Sequence, residues 1–340
     1  MTRTDIVRRY LDGEEDSVNY FKGLTSGNIS KIGLARLVFR DYPNEFKSVE
    51  DARSVVRSVT GTEQKNVKVT HEFISDSKTG LQASLPKTQA APLPDFIFPK
   101  ELQNTLIFSD THFPYHELKA IEAMIVNAKK RALDSIIING DLIDMYQASS
   151  FMKDPRMASL DQEIETAHGF ILYLEQEFPG VPIYYKLGNH ELRWEHLMMK
   201  KATPFVGMRE FEFTNLLKAR EWNTIPIQED QKIKYGKLNI IHGHELKYGV
   251  YSPVNPAKGL FNKTKSNTLT GHWHQQSDHH ESDFSAKAIA CFSLGCLCDL
   301  MPKYSPFAYL KWGHGFAYLS KENNGNFHVE NRRIIEGDVV

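Results

Sequence analysis

The stretch that decides the reading of this 340-residue chain is Asn104–His116, NTLIFSDTHFPYH. Three apolar residues, Leu106-Ile107-Phe108, run into Ser109 and then set Asp110 and His112 two positions apart. Such a run predicts a buried strand, and residues just past a strand's carboxyl end line the crevice where α/β proteins bind ligands. A carboxylate and a neutral imidazole there can share one divalent ion, since both donor types suit Mn, Fe or Zn. Asp-x-His alone is common at strand ends. It becomes informative because four later stretches repeat the device.

Downstream, Glu117–Ala132 predicts an amphipathic helix and Ser135–Asn139 a strand that ends in Gly140-Asp141-Leu142-Ile143-Asp144. The glycine permits a tight turn and brings Asp141 to the strand mouth. A helix over Asp161–Phe178 leads to a strand over Val181–Leu187, which ends in Gly188-Asn189-His190-Glu191. Helices at Leu192–Lys201 and Glu210–Glu221 precede a strand at Leu238–Ile241 that ends in His242-Gly243-His244. A last strand, Thr268–Thr270, ends in Gly271-His272-Trp273-His274. Each of the four stops at a glycine beside Asp, Asn or His, so one site is assembled from strand ends. Beyond it, Ala286–Leu297 predicts a buried strand, and Gly315–Ser320 with Phe327–Ile334 a hairpin closed by Asn323-Asn324-Gly325-Asn326.

Upstream, residues 1–60 predict a separate helical module. Thr4–Leu11 and Ser30–Arg40 have helical apolar spacing, and Ser48-Val49-Glu50-Asp51 has the form of a capping box opening a third helix to about Thr60. Ala52, Val55, Val56 and Val59 form its apolar stripe, with Arg53 and Arg57 one turn apart on the other side. A helix-turn-helix-like module contacting DNA is one reading, and a small helical bundle with solvated arginines the other. The charge count, 10 Lys and Arg against 9 Asp and Glu in residues 1–60, is a poor electrostatic footprint for DNA. Residues 61–103 lose periodicity and become rich in Ser, Lys, Gln, Ala and Pro, which predicts a linker with a strand at Val67–Ile74. The second domain is expected over 104–340.

Composition bounds the rest. With 41% hydrophobic and 24% charged residues the chain suits an ordinary globular protein with a core large enough to need no staples. A net charge of −1 gives no global attraction to nucleic acid or anionic membrane. No apolar run approaches the ~18–20 residues that span a bilayer, and Met1–Asp5 does not read as a signal peptide. Cys291, Cys296 and Cys298 argue for buried thiols in a reducing cytoplasm rather than a disulfide framework.

The five blocks, Asp110-x-His112, Gly140-Asp141-x-x-Asp144, Gly188-Asn189-His190-Glu191, His242-Gly243-His244 and Gly271-His272-x-His274, resemble the calcineurin-like metallophosphoesterase superfamily, in that family's order over about residues 104–275. The resemblance implies an αββα sandwich with two divalent ions at its edge. Carried over by position, Asp110, His112, Asp141 and His274 would hold one ion. Asp141, Asn189, His242 and His272 would hold the other, with Asp141 bridging. His190 would face the scissile phosphate and act in catalysis together with Asp144, the latter by hydrogen-bonding a ligand histidine or a turn amide. His244 stays open between a phosphate contact and a supporting role. The chemistry follows from these residue types: two ions ~3.5–4 Å apart need an anionic bridge, and a hydroxide held between them is aimed at phosphorus. Ligand type does not fix the metal. Manganese is expected first, with iron, zinc or nickel as alternatives.

The GNHE block with Arg193 resembles the serine/threonine protein phosphatases, but Met145-Tyr146 stands where those enzymes carry an arginine. That departure, with the GHxH ending, is more similar to the phosphodiesterase and repair-nuclease branches. Tyr146–Ser159, with Phe151, Met152, Lys153, Arg156 and Met157, is expected as a lid over the site. Glu245–Asn267 carries Lys247, Lys258, Lys263 and Lys265 among Tyr248, Tyr251 and Phe261. It suits either a nucleic-acid backbone or an ordinary solvated helix face. His314 and the His279-His280 pair are expected to be surface or structural. The expectation is a dinuclear-metal phosphodiesterase acting on nucleic acid or nucleotides, with DNA or RNA contacted through 1–60 and 245–267. A phosphomonoesterase or protein phosphatase is the alternative hydrolase, and a non-catalytic DNA-binding or scaffold protein the alternative outside enzymology.

Overall fold

The computed structural model describes residues 2–12, 31–60, 73–74, 85–86, 90, 94–218, 223–246, 254–302 and 310–340. The chain divides into two compact units, Met1–Ala91 and Pro92–Val340.

In the first unit the apolar spacing produces three helices, α1 (Arg3–Asp12), α2 (Lys31–Asp41) and α3 (Val49–Val59). Their shared core is Ile6, Val7 and Tyr10 against Leu34, Ala35, Leu37 and Val38, closed by Phe46, Ala52 and Val56. Half of the expected capping box is present: Ser48 Oγ accepts the Asp51 N–H at 3.2 Å, while the Asp51 carboxylate accepts the Lys47 N–H at 2.9 Å. Of the strand expected at Val67–Ile74 only 73–74 is described, paired antiparallel with 85–86; the remainder lies outside the described residues.

The second unit holds two sheets. Strands β1 (Phe96–Ile97), β2 (Asn104–Phe108), β3 (Ser135–Asn139), β4 (Ile183–Lys186), β5 (Thr224–Ile227), β6 (Ile233–Tyr235) and β7 (Leu238–Ile240) are followed by β8 (Thr268–Thr270), β9 (Ser277–Ser282), β10 (Ala288–Ser293), β11 (His314–Lys321), β12 (Phe327–Ile335) and β13 (Asp338–Val339). One sheet has the order β13-β12-β11-β2-β3-β4-β5, the other β9-β10-β8-β7-β6-β1. β2 through β5 are parallel, and so are β7, β8 and β10, so the site-bearing loops leave both sheets at carboxyl ends.

Period-two alternation sets the layers. Leu106, Phe108, Ile136 and Ile138 join the core under helices α4 (Leu118–Ala128) and α5 (Leu160–Glu177). The intervening Ile107 and Ile137 face the other sheet and pack with Ile233, Tyr235, Leu238, Ile240 and Leu269. Helix α7 (Pro256–Thr264, after α6 at Leu192–Lys201) covers the outside of that sheet through Ala257, Leu260 and Phe261 against Ile289 and Cys291. The result is a mixed α/β fold with two facing sheets between helices, as expected of an αββα sandwich.

Several ends differ from the sequence reading. The segment 94–103, in the stretch expected as linker, carries β1 on the sheet edge, and Phe98 is buried between the rings of Tyr184 and Tyr235. The helix expected at Glu210–Glu221 is an α-helical turn at Phe213–Leu216, because Lys218 turns left-handed at φ +50° and ends it. Residues 219–222 lie outside the described residues. The strand expected over Ala286–Leu297 is confined to β10. The hairpin β11–β12 forms as expected. Among the described residues no helix is long and apolar enough to cross a membrane.

Candidate metal centre

The first two strand-end loops are zipped together along their backbones. The N–H groups of Thr111 and His112 both donate to the Asp141 carbonyl, at 3.0 and 3.1 Å, and Phe113 N–H donates to Leu142 O at 2.8 Å. That pairing brings Asp110, His112 and Asp141 within ligand distance of one another. Asp110, His112, Asp141, His272 and His274 all have φ between 51° and 66°. Non-glycine residues seldom adopt this left-handed region, and its concentration here marks backbone held by the surrounding structure so that side chains converge. The glycines at the turns serve the same end. Gly140 has φ +86°, and a Cβ there would overlap the His242 ring, while a Cβ on Gly188 would overlap the Asp141 carboxylate.

The imidazoles are aimed by their distal nitrogens. His242 Nδ1 donates to the Asn139 carbonyl at 2.7 Å, which leaves Nε2 as a lone-pair donor facing inward, 3.2 Å from Asp141 Oδ2. His112 Nδ1 lies 3.0 Å from Asp144 Oδ1, turning its Nε2 toward His274 Nε2 at 3.2 Å. His274 Nε2 is in turn 3.1 Å from Asp110 Oδ1, with Cys298 Sγ 3.7 Å from its Nδ1 and the Trp312 ring 4.2 Å away between centroids. Asp141, His242 and His272 form a second convergent group, and His272 N–H donates to Asp110 Oδ2 at 2.8 Å.

Electrostatics in this pocket favour charge. Burial alone would raise Asp110 and Asp141, yet His274 and His242 outweigh it and hold both carboxyls well below their ordinary range. Against the same burial, those carboxylates push His242 and His274 up to about 10. His272 is pushed down to about 4, by burial and by His242. The field that draws protons onto His242 and His274 would also attract a divalent cation, whose binding would displace them. The donor set fits such ions. Asn189 Oδ1 is buried without a hydrogen-bond partner, a costly arrangement that a cation would relieve, and His242 Nε2 faces only the Asp141 carboxylate, at 3.2 Å. Two donor groups also meet at one carboxylate, Asp141.

At the open side, His190 donates its backbone N–H to Asp141 Oδ1 at 2.9 Å and sets Nδ1 against the Asp144 carbonyl at 2.7 Å. Arg193 donates to that carbonyl at 2.9 Å and to His190 Nε2 at 2.8 Å. The lid does overhang this side: a cavity of about 500 Å³ is lined by Asp144, Tyr146, Ser149, Phe151, Met152, His190 and Arg193.

Between residues 104 and 314, more than half of the chain, the sequence matches the family described as calcineurin-like phosphoesterase. The chain belongs to the calcineurin-like phosphoesterases. The family is one of metal-dependent phosphoester hydrolases, and this phosphoesterase retains a His/Asp cluster that could hold metal. It is 25% identical to the Gene 54 protein of Mycobacterium phage L5 over 228 residues, 63% of this chain and 88% of that protein. Among solved structures, a single mutant of Vps29 from Entamoeba histolytica aligns at a TM-score of 0.36 and 13% identity, over 70% of this chain and 96% of that one. Vacuolar Protein Sorting 29 from Cryptosporidium parvum aligns at 0.36 and 12%, over 70% and 95%.

The phosphoesterase also has supports that its blocks do not announce. Glu191, buried, accepts N–H bonds from Asp141 (3.1 Å), Leu142 (2.9 Å) and Gly188 (2.7 Å) and the Tyr185 hydroxyl at 2.6 Å, tying two ligand loops together. Glu245 accepts from His242 N–H and Gly243 N–H and pairs at 3.0 Å with the buried Lys186 ammonium. Despite burial, Lys186 pulls the Glu245 carboxyl down to about 2. His244 Nδ1 is buried without a hydrogen bond, 3.6 Å from Glu245, and burial lowers its pKa. His314 is structural, its Nε2 at 2.9 Å from the Cys298 carbonyl. All three cysteines are buried and unpaired. In the 245–267 excursion Phe261 is a core residue with Lys265 Nζ 4.6 Å above its ring, while Lys247, Tyr248 and Tyr251 lie outside the described residues.

Proposed function

We propose that this phosphoesterase is a dinuclear-metal phosphodiesterase whose substrates are nucleic acid or nucleotides. The observation that carries the dinuclear reading is the pair of convergent donor groups that share Asp141, with the buried Asn189 Oδ1 left unpartnered among the expected ligands. In this reading Asp110, His112, Asp141 and His274 hold one ion and Asp141, Asn189, His242 and His272 the other. Manganese is the first choice and iron, zinc or nickel the alternatives. Bound there, the ions supply a nucleophile at neutral pH and neutralise charge on the phosphoryl oxygens.

The chain's own residues orient and protonate. Asp144 aims the His112 ring through its carboxylate and the His190 ring through its carbonyl, so it is a positioning residue. With its proton on Nδ1, His190 keeps Nε2 toward the cleft, where the Arg193 guanidinium now sits. Donating a proton to a leaving oxygen requires the His190 imidazolium, so Arg193 must release Nε2 as substrate enters. Its fork then suits a phosphoryl oxygen. A monoesterase would need a tighter cationic grip on a dianion; one cavity-lining guanidinium facing the apolar tip of the lid favours the diester.

The test is hydrolysis of bis-p-nitrophenyl phosphate against p-nitrophenyl phosphate by protein stripped of metal and reloaded with manganese. Diester preference is expected. Monoester preference moves the phosphatase reading to the front, and no turnover of either with metal bound leaves a binding role.

A further inference from the structure

The Tyr146–Ser159 loop is built as a fixed wall of the cleft. Both Glu163 oxygens accept the Tyr146 N–H at 3.1 Å, and the Tyr146 hydroxyl accepts the Asp154 N–H at 2.9 Å. Gln147 reaches the Ala158 carbonyl at 3.2 Å, and the Tyr115 hydroxyl accepts the Ala158 N–H at 3.3 Å. Arg156 grips Asp154 through Nε and Nη2. Every one of these bonds fastens the loop around its tip, yet the tip presents Phe151 at 76% exposure and Met152 at 95%. Large apolar side chains left in water on a stapled loop, at the mouth of a cavity, are a cost that a ligand repays.

The same cavity is polar at its other end. There His190 and Arg193 stand beside the candidate ligands. A ligand that complements it has an anionic group at one end and a flat apolar one at the other. At about 500 Å³ the cavity lies within the ~300–1,000 Å³ that small-molecule pockets span. A phenyl ring and a polarisable thioether suit the face of a base, whose stacking tolerates any sequence.

Resting on the phosphodiesterase reading, we infer that Phe151 and Met152 form a nucleobase subsite, holding the base of a nucleotide whose phosphate lies at His190 and Arg193. The lid then sets specificity by stacking. A peptide substrate would leave this wall without a base to hold and is the outcome that opposes it.

The experiment compares binding of AMP and ribose 5-phosphate, which share the sugar phosphate and differ in carrying adenine or a hydroxyl at C1′, to the manganese-loaded full chain by calorimetry. AMP should bind at least about fivefold tighter, the low end of base–aromatic stacking. The Phe151→Ala/Met152→Ala double variant should bring the two affinities together, and Phe151→Trp should keep or widen the gap. Equal affinities in the wild type, or a gap that survives the double variant, overturns the subsite. The readout is independent of turnover. If the nitrophenyl diester is not hydrolysed but the gap is present, the diesterase reading fails and the subsite stands.

Discussion

The two compact units use their polar residues in opposite ways. In the helical unit the described core is Ile, Val, Leu, Ala, Phe and Tyr, and its charged groups pair at the surface. Among the described residues, every fully buried Ser, Thr, Asn, Asp, Glu, His or Lys side chain belongs to the second unit, and Asp110, His112, Asp141, His242 and His274 gather in one place there. Burying such groups costs free energy unless hydrogen bonds or ions compensate, so the contrast separates a unit with an apolar core from one whose buried polar cluster could hold a metal.

The largest expected effect breaks the second unit's side of that contrast. Asp141 is the carboxylate common to both donor groups, and Asp141→Asn keeps its size while removing its charge. Turnover of the nitrophenyl diester should fall by at least about 10²-fold, and manganese content by atomic absorption should drop with it. Retained metal-dependent hydrolysis would sink the bridging assignment.

Next in size is Glu191→Ala. It strips three backbone N–H groups and the Tyr185 hydroxyl of their shared acceptor inside the protein. A stability loss of about 3 kcal/mol or more by urea denaturation is expected, with weakened manganese binding. Unchanged metal affinity would mean that the ligand loops hold their shape without it.

These two residues also mark where the sequence could be read and where it could not. The Asp141 block is local: a strand, a glycine and a carboxylate within three positions, repeated at His242 and His272. Such a signal survives without knowing what packs against it. Glu191 lies inside a block, but its job comes from loops 3 and 50 residues away in the chain. Lys186 meets Glu245 only because the two sheets face each other, and Cys298 comes behind His274 only by sheet order. Apolar runs located the strands for the same local reason, while their ends were set by pairing: β10 stops where β8 stops beside it. Phe261 was legible as an aromatic among lysines but not as core, since burial there depends on Ile289 and Cys291.

A smaller effect sharpens the comparison through Glu163, fully buried beneath the lid and pushed up to about 8 by burial and by Asp144. A carboxyl whose folded pKa exceeds its unfolded 4.5 binds its proton more tightly when folded. Its contribution is therefore complete below pH 4.5 and is lost as pH rises toward 8. Relative to Glu163→Gln, which keeps an acceptor but cannot ionise, the wild type should lose about 2 kcal/mol between pH 6 and 8. Urea midpoints across that range measure the difference. Parallel curves would show that Glu163 ionises freely and that the lid is not held by a neutral carboxyl.

The smallest effect is expected in the helical unit. Arg53 and Arg57 are the residues that a DNA-reading third helix would offer, but both guanidiniums engage Glu50, at 3.3 and 3.9 Å. Arg3 pairs with Asp51 and Arg40 with Asp41 in the same way. Arginines that share nearby carboxylates have less charge left for phosphates. Exposed pairs of this kind are themselves worth under ~1 kcal/mol. Changing Arg53 and Arg57 together to Ala should therefore alter the affinity for a DNA duplex less than about twofold and leave its salt dependence unchanged. A plot of log affinity against log salt that becomes shallower by about two would mean that both arginines had been neutralising DNA phosphates. That outcome would support the helix-turn-helix reading; an unchanged slope would favour the small helical bundle with solvated arginines.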